Sequence, residues 1–355
     1  MKDQTKFCLK ISKPLHNVAM KNCKSLFLLA ASMLLLSCGA NSQSASASVS
    51  TASSSSEAAS SSEVVSSSSE EVTSAASSLF DVDALKQSYG EFSITVKEEG
   101  IGSYTYDESA NTYYLDVASA KATYKLSGYF DGAFVIRNGS SLTSYKGVVI
   151  DLENACLVST GDYAVINYTL PEKNVEIKSS TTTSNKILAL GSNVAVYSEN
   201  NAEFSGKGTL ELASIGELAH TVRAADKVRI YGEPTINVTV SAHDAFHGNR
   251  LYFTEDEDVP TDNPFLGTLN ISNVISQAFD FETSNGNGEI IVHSGKINVD
   301  NAESVFKTDA LLEVQANATV TATNLFGEPY VAGDNSTGLT TNIIGTFTVD
   351  GKAVE

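Results

Sequence analysis

Short segments in which apolar and polar residues alternate follow one another from about residue 79 to the end of the chain. Alternation with a period of two is typical of β-strands that cover a core with one face, and Gly, Asn, Asp or Ser bound each segment. The clearest segments are GVVIDL, AEFSG, GTLELA, KVRIYG, TINVTV, GTLNIS, EIIVHSG, KINVD, LLEVQ and ATVTAT. Only the stretch from Phe80 to Phe92 indicates a helix, which we expect to be short. The pattern therefore predicts an all-β fold.

These segments recur as a unit in which a polar corner leads into an apolar pair. The second residue of the pair falls at Val165, Val196, Val222, Phe246, Phe279, Phe306 and Phe326. Successive members lie roughly 20 to 33 residues apart, which is within the range of solenoid repeats. The longest interval, from Phe246 to Phe279, includes an acidic insert, Thr254 to Leu266. A repeat of this length with two or three strands predicts a parallel β-helix (solenoid) of about eleven coils, stacked about 4.8 Å apart. A β-sandwich is the alternative, and it predicts irregular strand spacing.

The part of the chain before residue 79 has a different composition. An apolar run, Ser25 to Cys38, follows Lys21 and Lys24. It is shorter than the roughly 20 residues that cross a bilayer, and its charged start and small-residue end are typical of a secretory signal. Its last residues, LLSCG, resemble the lipobox of bacterial lipoproteins. We predict a signal peptide over 1–37, with Met20 as an alternative start, and a lipidated Cys38 that holds the protein in the bacterial cell envelope.

A serine-rich segment follows the predicted anchor. Half of the positions from Asn41 to Ser78 are serine. Such a segment buries too little apolar surface to offset its conformational entropy, so we predict a disordered linker over 38–78 and a β-helix domain over 79–355.

Charge and cysteine content restrict the function classes. Removal of residues 1–37 takes away six Lys and one Asp, which leaves 17 basic and 41 acidic residues and a net charge of −24. This charge disfavours nucleic acid as a partner. Beyond Cys38 the chain has only Cys156, so we expect no internal disulfide and a buried thiol. We expect a monomer.

The corner SAHDAFHGN, residues 241–249, has two histidines and one aspartate within five positions. It has the same phase as the other repeat corners, which predicts that Ala245 and Phe246 point inward while Asp244 and His247 flank them outside. A zinc site is an alternative. On a strand, however, His243 and His247 need not converge, and a third ligand would have to come from His220, one coil away.

Several stretches of this repeat resemble a bacterial extracellular carbohydrate-binding family. They are Thr123 to Gly139, Gly147 to Asn167 and Ala202 to Gly248, and the resemblance extends over roughly Glu91 to Leu325. It implies a right-handed parallel β-helix related in shape to pectate-type lyases. It also implies binding of acidic plant polysaccharide, calcium held by acidic residues at coil corners, and no established catalysis.

The resemblance places calcium at the acidic corner residues Asp244, Asp280 and Glu282. The insert adds Glu255, Asp256 and Asp258, because calcium takes six to eight oxygen ligands and an acidic loop can supply them. Candidate sugar contacts are Arg223, Arg250, Tyr231 and Tyr252.

The sequence thus predicts a surface-anchored lipoprotein that binds an acidic, polygalacturonate-like polysaccharide with calcium. Two alternatives stay open: an adhesin or passive scaffold, and a calcium-dependent lyase that uses Arg223 or Arg250. No motif for a nucleophile and its base is present, so we predict that the protein is not an enzyme.

Overall fold

The computed structural model describes residues 80–98, 100–180 and 182–355. The predicted signal peptide, Cys38 and the serine-rich linker lie outside these described residues. The described part is nearly all β, with one helix, α1 (Val82–Tyr89), and strands stacked as a solenoid of parallel coils. It contains no helix that is long and apolar enough to cross a membrane.

The strands form three faces, which we call the first, second and third. The first face is a ten-stranded sheet, in the order β2 (Ser103–Asp107), β3 (Thr112–Asp116), β5 (Ala133–Arg137), β7 (Ile166–Tyr168), β10 (Val196–Ser198), β13 (Val222–Ala224), β16 (Phe246–Gly248), β19 (Gln277–Phe281), β21 (Ser304–Thr308) and β23 (Tyr330–Ala332). All its pairs are parallel except the hairpin of β2 and β3.

The second and third faces belong to one sixteen-stranded sheet, because four strands bend through both. These four are β4 (Ala122–Asp131), β6 (Val148–Ser159), β20 (Glu289–Asp300) and β22 (Leu311–Thr323). The second face adds β8 (Asn174–Ser179), β11 (Asn201–Gly206), β14 (Lys227–Ile230), β17 (Arg250–Tyr252) and β24 (Thr340–Ile343). The third face adds β9 (Ser184–Ala189), β12 (Thr209–Ser214), β15 (Thr235–Ser241), β18 (Thr268–Ser272) and β25 (Thr346–Val349). Antiparallel β1 (Ser93–Val96) and β26 (Lys352–Ala353) pair with β4 and β25 at the two ends.

The parallel β-helix is therefore confirmed, but with about eight turns rather than eleven. The number of coils was overestimated because the prediction counted the whole of 79–355, whereas a helix and antiparallel strands occupy its first part. The repeat phase also needs two corrections. Ile166, not Val165, pairs with Val196, and Tyr330, not Phe326, pairs with Phe306. Phe326 is 62% exposed, because it lies in a corner that the pattern had assigned to the core.

Inward side chains form continuous apolar rows along the coils. On the first face, Phe246 stacks on Phe279 at 5.6 Å between ring centroids, and Phe279 stacks on Phe306 at 5.4 Å. All three rings are fully buried, as are Ala245 and the inward residues of the neighbouring faces. Each large side chain contacts its counterpart one coil away, so replacing one with alanine leaves a cavity that costs about 3–5 kcal/mol.

Helix α1 covers the outside of the third face. It begins after Asp81, whose Oδ1 accepts a hydrogen bond from the Ala84 amide at 3.0 Å. The side chains of Leu85 and Tyr89 pack against a small apolar cluster that includes Cys156. Burial raises the pKa of the Cys156 thiol to about 12. The prediction of a buried thiol is confirmed.

Candidate functional site

A groove runs along the outside of the second face, from β6 toward the insert. It encloses about 480 Å³. We call it the second-face groove, and its lining residues are Asp151, Glu176, Lys178, Ser179, Ser180, Ser205, Gly206, Lys207, Tyr231, Gly232, Glu255 and Asn263. They come from five successive coils, since equivalent strand positions stack in register. The groove therefore presents polar groups repeatedly along the solenoid axis.

Two carboxylates in and beside the groove are fixed by partners. Glu176 accepts from the Lys121 ammonium at 2.6 Å and from the Ser205 hydroxyl at 2.7 Å. Burial opposes ionisation, yet these hydrogen bonds outweigh it and lower the pKa of Glu176. Glu203, opposite Glu176 one coil along, pairs with Arg229 at 3.2 Å. Its burial dominates and raises its pKa. The partners of these two carboxylates are thus mainly other side chains of the protein.

The two lysines of the groove differ in their partners. Lys207 pairs with Glu233 at 2.9 Å. Lys178 is exposed, and it makes no ion pair with any residue that the structure describes. Its register neighbours are Asp151 and Ser205, and the Asp151 carboxylate accepts from Ser180 at 2.6 Å. An ammonium with these surroundings is available to an acidic or hydroxyl group of a ligand.

The acidic insert forms one wall of the groove. Glu257 pairs with Lys227 and with Arg229, which fastens the insert to the second face. Asn263 donates to Glu255 at 2.9 Å, and both side chains line the groove. An adjoining cavity of about 400 Å³ is lined by Arg229, Glu255, Asp256 and Asp262. Asp258 donates its amide to Asp256 Oδ1 at 2.9 Å.

The predicted corner acids lie on the first face, and cationic or imidazole groups surround them. Asp244 was expected on the outward side, but its side chain is fully buried among His220, His243 and His247. Burial opposes ionisation of Asp244, but the three adjacent imidazoles hold its pKa well below its usual range. We call these four residues the histidine corner.

The other two corner acids share one lysine. Lys307 Nζ lies 2.8 Å from Glu282 and 3.8 Å from Asp280. The Lys307 ammonium is therefore already a partner of both carboxylates. This arrangement does not fit a calcium ion, which takes oxygen ligands and would meet an ammonium.

The described residues contain two groups of three or more His, Cys, Asp or Glu side chains whose ligand atoms all lie within 4.8 Å of one another. They are His220–His243–Asp244 and Asp244–His247–Asp280. Neither includes Glu255, Asp256 or Asp258. The six residues predicted for calcium are thus split between the first face and the insert.

The histidines do converge, contrary to the expectation for a strand. The pairing of Val222 with Phe246 places His220 directly beside Asp244 on the next coil. The His220 ring stacks on His247 at 4.3 Å and meets His243 edge-on at 4.7 Å. The shared phase of His220 and Asp244 in the repeat was the signal for this convergence.

The predicted sugar contacts are also divided. Arg223 is exposed on the first face, whereas Arg250 lies on the second and pairs with Asp226 at 2.6 Å. Tyr231 and Tyr252 are each only 4% exposed, and their hydroxyls bond to Glu203 and Glu289 respectively. The flank predicted to be aromatic therefore offers no ring face to a sugar.

Exposed tyrosines lie elsewhere, where the sequence analysis did not place them. Tyr104 and Tyr106 of β2 are 39% and 46% exposed. The Arg137 guanidinium lies 4.2 Å from the Tyr114 ring, next to a cavity that Tyr106 also lines. The signal was the alternation of tyrosine in SYTYD and TYYLD at the start of the repeat.

A family model described as carbohydrate-binding domain-containing protein matches residues 114–338, which is more than half of the chain. The chain belongs to this carbohydrate-binding family. Searches of curated proteins and of solved structures returned no match. The matched segment includes the whole second-face groove and the histidine corner, but it begins after Tyr104 and Tyr106. Membership indicates polysaccharide binding.

Proposed function

We propose that this protein binds polysaccharide along the second-face groove, with the sugar chain parallel to the solenoid axis. The observation that carries this proposal is the groove itself, whose polar lining comes from five successive coils. Coils recur about every 4.8 Å, so hydroxyl, carboxylate and ammonium groups repeat along the axis. A polymer presents its own hydroxyl groups in the same repeated way, whereas a single small sugar would use only part of the groove.

The chemistry of the lining favours hydrogen bonds over ring stacking. Ser180 and Ser205 contribute hydroxyls, and Gly206 and Gly232 leave the backbone accessible to a ligand. Both glycines have positive φ, 106° and 77°, a backbone conformation that glycine adopts more readily than residues with a side chain. Lys178 is the group best placed to add charge recognition.

The finer proposal is that the polysaccharide is acidic. The net charge of −24 after removal of residues 1–37 opposes an acidic ligand over long distances. At physiological salt, however, charges farther apart than about 8 Å are largely screened, so the groups inside the groove decide. Lys178 and Lys207 lie in the groove, and an ammonium that bonds a uronate carboxylate makes a charge-assisted hydrogen bond.

The test of the site uses the full chain, polygalacturonate and a neutral glucan in isothermal titration. Lys178→Ala should weaken polygalacturonate binding about tenfold, because a hydrogen bond to a charged group contributes about 1.5–3 kcal/mol. Lys178→Glu should weaken it further. Lys296→Glu, an exposed lysine on the third-face part of β20, is the matched control and should bind like the wild type. Equal affinities for all four proteins would contradict the site.

Calcium assistance remains a prediction, and chelator tests it separately. If calcium bridges the ligand and the acids of the insert, binding should disappear with EDTA and return with added calcium. If Lys178 alone recognises the carboxylate, binding should persist in EDTA. Binding only to the neutral glucan would contradict the acidic proposal and leave the groove proposal intact.

We also propose that Cys38 anchors the protein to the bacterial cell envelope. This proposal rests on the lipobox-like end of the apolar run, which lies outside the described residues. The wild type should partition into detergent, and Cys38→Ser should remain in the aqueous phase or fail to be processed. Equal partitioning of the two proteins would contradict it.

A further inference from the structure

The histidine corner gathers three imidazoles around a single carboxylate oxygen. Asp244 Oδ2 lies 2.9 Å from the Nδ1 of His243, 3.1 Å from that of His220 and 3.6 Å from that of His247. The other oxygen, Oδ1, accepts from the backbone amide of Gln277 at 3.0 Å. The carboxylate is thus fixed on one side and aims its second oxygen at three ring nitrogens.

The fold holds these side chains in place. Ala245 and Phe246, which lie between His243 and His247 in the chain, are fully buried and anchor the corner to the core. Asp244 is also fully buried, whereas His220 and His243 keep 15% and 35% of their side chains exposed. The rings contact one another, so their orientations are coupled before any ligand arrives. The site is therefore preorganised, and an ion can reach it from solvent.

Protein groups alone leave the corner unsatisfied. A carboxylate oxygen has two lone pairs, yet three nitrogens face Asp244 Oδ2. Within the described part of the chain, the Nδ1 atoms of His220 and His247 are buried and lack a hydrogen-bond partner. Buried polar atoms are nearly always partnered, so these two point to a group that the protein itself does not supply.

We infer that His220, His243 and Asp244 bind a divalent transition-metal ion, with zinc as the best match and water in the fourth position. Imidazole nitrogen and carboxylate oxygen are zinc ligands at about 2.0–2.2 Å, and in a tetrahedron this bond length separates two ligands by about 3.3 Å. The observed separations of 2.9 and 3.1 Å between Asp244 Oδ2 and the Nδ1 atoms of His243 and His220 are close to that value. Calcium and magnesium prefer oxygen, so a set rich in imidazole selects against them.

The neighbouring group, Asp244–His247–Asp280, is less suited to a metal. Lys307 Nζ lies 3.8 Å from Asp280 Oδ2, so an ammonium already supplies positive charge there. His220 and His243 have no lysine or arginine in their described ion pairs. The ion therefore belongs on the His220 and His243 side of Asp244.

The test uses the full chain, stripped of metal by chelator, with Co²⁺ as a spectroscopic substitute for Zn²⁺. Cobalt should produce the intense visible absorption of a tetrahedral site with nitrogen and oxygen ligands. Stoichiometric Zn²⁺ should abolish this absorption, and excess Ca²⁺ should leave it unchanged. No tetrahedral spectrum, or displacement by Ca²⁺, would overturn the inference.

Variants assign the signal to the corner. His243→Gln and His220→Gln should each weaken zinc binding about a hundredfold, because a site with three protein ligands divides its binding free energy among few bonds. His293→Gln, at a buried histidine of β20 outside the corner, is the matched control and should retain the spectrum.

Circular dichroism and melting temperature should show that each variant is folded. The N-terminal part of the chain contains Cys8, Cys23 and Cys38, so the readout is the difference between wild type and variant rather than total metal. Equal zinc affinity in the wild type and both corner variants would overturn the inference.

Discussion

The histidine corner and the second-face groove lie on two faces of the same solenoid and use outward positions differently. In the corner, ligand atoms from two adjacent coils converge on Asp244 Oδ2, and the carboxylate is fully buried. In the groove, polar groups from five coils line up along the axis, and exposed Lys178 stays without an ion pair among the described residues. The same parallel register therefore supports two kinds of site. Where polar side chains are crowded, their atoms converge on one point, and where they are widely spaced, they form a site that extends along the axis.

The largest expected difference concerns stability without metal. Asp244→Asn should lower the free energy of unfolding by about 3 kcal/mol, because it removes a buried charge that three imidazoles surround. Asp151→Asn in the groove should cost below about 1 kcal/mol, since that carboxylate bonds mainly to the Ser180 hydroxyl. Urea unfolding in the presence of chelator measures both. Equal losses of unfolding free energy in the two variants would contradict the described difference between the histidine corner and the second-face groove.

Sequence pattern predicted the solenoid because inward residues must be apolar on every coil, and that constraint repeats in the chain. It also placed Ala245 and Phe246 inward and located the insert. It failed where contacts depend on register between coils. A shift of one position, as between Val165 and Ile166, changes which residues are neighbours on adjacent coils.

The burial of the tyrosines could not be predicted from periodicity either. Tyr231 follows the last residue of β14, and its burial depends on the position of the insert and of Glu203. Lys178 stood in a plain alternating strand with no motif around it. Its importance comes from the lack of an ion-pair partner, which only the arrangement of neighbouring coils reveals.

A moderate effect is expected at the wall of the second face. Tyr252→Phe removes the hydroxyl that bonds to the Glu289 carboxylate and should cost about 1 kcal/mol in unfolding free energy. Because the ring is covered, polysaccharide affinity should stay unchanged. Parallel urea and titration experiments check this. A large loss of affinity with unchanged stability would restore the aromatic flank as a sugar site.

A smaller effect concerns acid. The folded-state pKa of Glu176 is lowered, so its stabilising contribution is present above its unfolded pKa of about 4.5 and is lost as the pH falls through the folded value. The folded-state pKa of Glu203 is raised, so its effect on stability changes with pH in the opposite direction. Its stabilising contribution is largest at low pH and is lost as the pH rises through the folded-state pKa.

The two glutamates can be compared by unfolding the wild type, Glu176→Gln and Glu203→Gln between pH 3 and pH 7. Relative to Glu176→Gln, the wild type should lose stability toward pH 3. Relative to Glu203→Gln, it should lose stability toward pH 7. The same slope for both differences would show that the two carboxylates do not differ in environment as described.

The smallest expected effect is cleavage of polysaccharide by the protein. Arg223 and Arg250 lie on different faces, so they do not form one catalytic pair. Polygalacturonate incubated with the protein and calcium should give no unsaturated product that absorbs in the ultraviolet. Such a product, lost in Arg223→Ala or Arg250→Ala, would make the protein a lyase.

Hydrogen exchange with bound polygalacturonate tests the central claim, the location of the sugar, most directly. Exchange of backbone amides, followed by mass spectrometry, should slow in the peptides that cover residues 205–209 and 254–266, which line the second-face groove. Peptides that cover 103–114, 220–224 and 241–247 should exchange as in the free protein. Protection of the tyrosine hairpin or of the histidine corner, with none in the groove, would contradict the account.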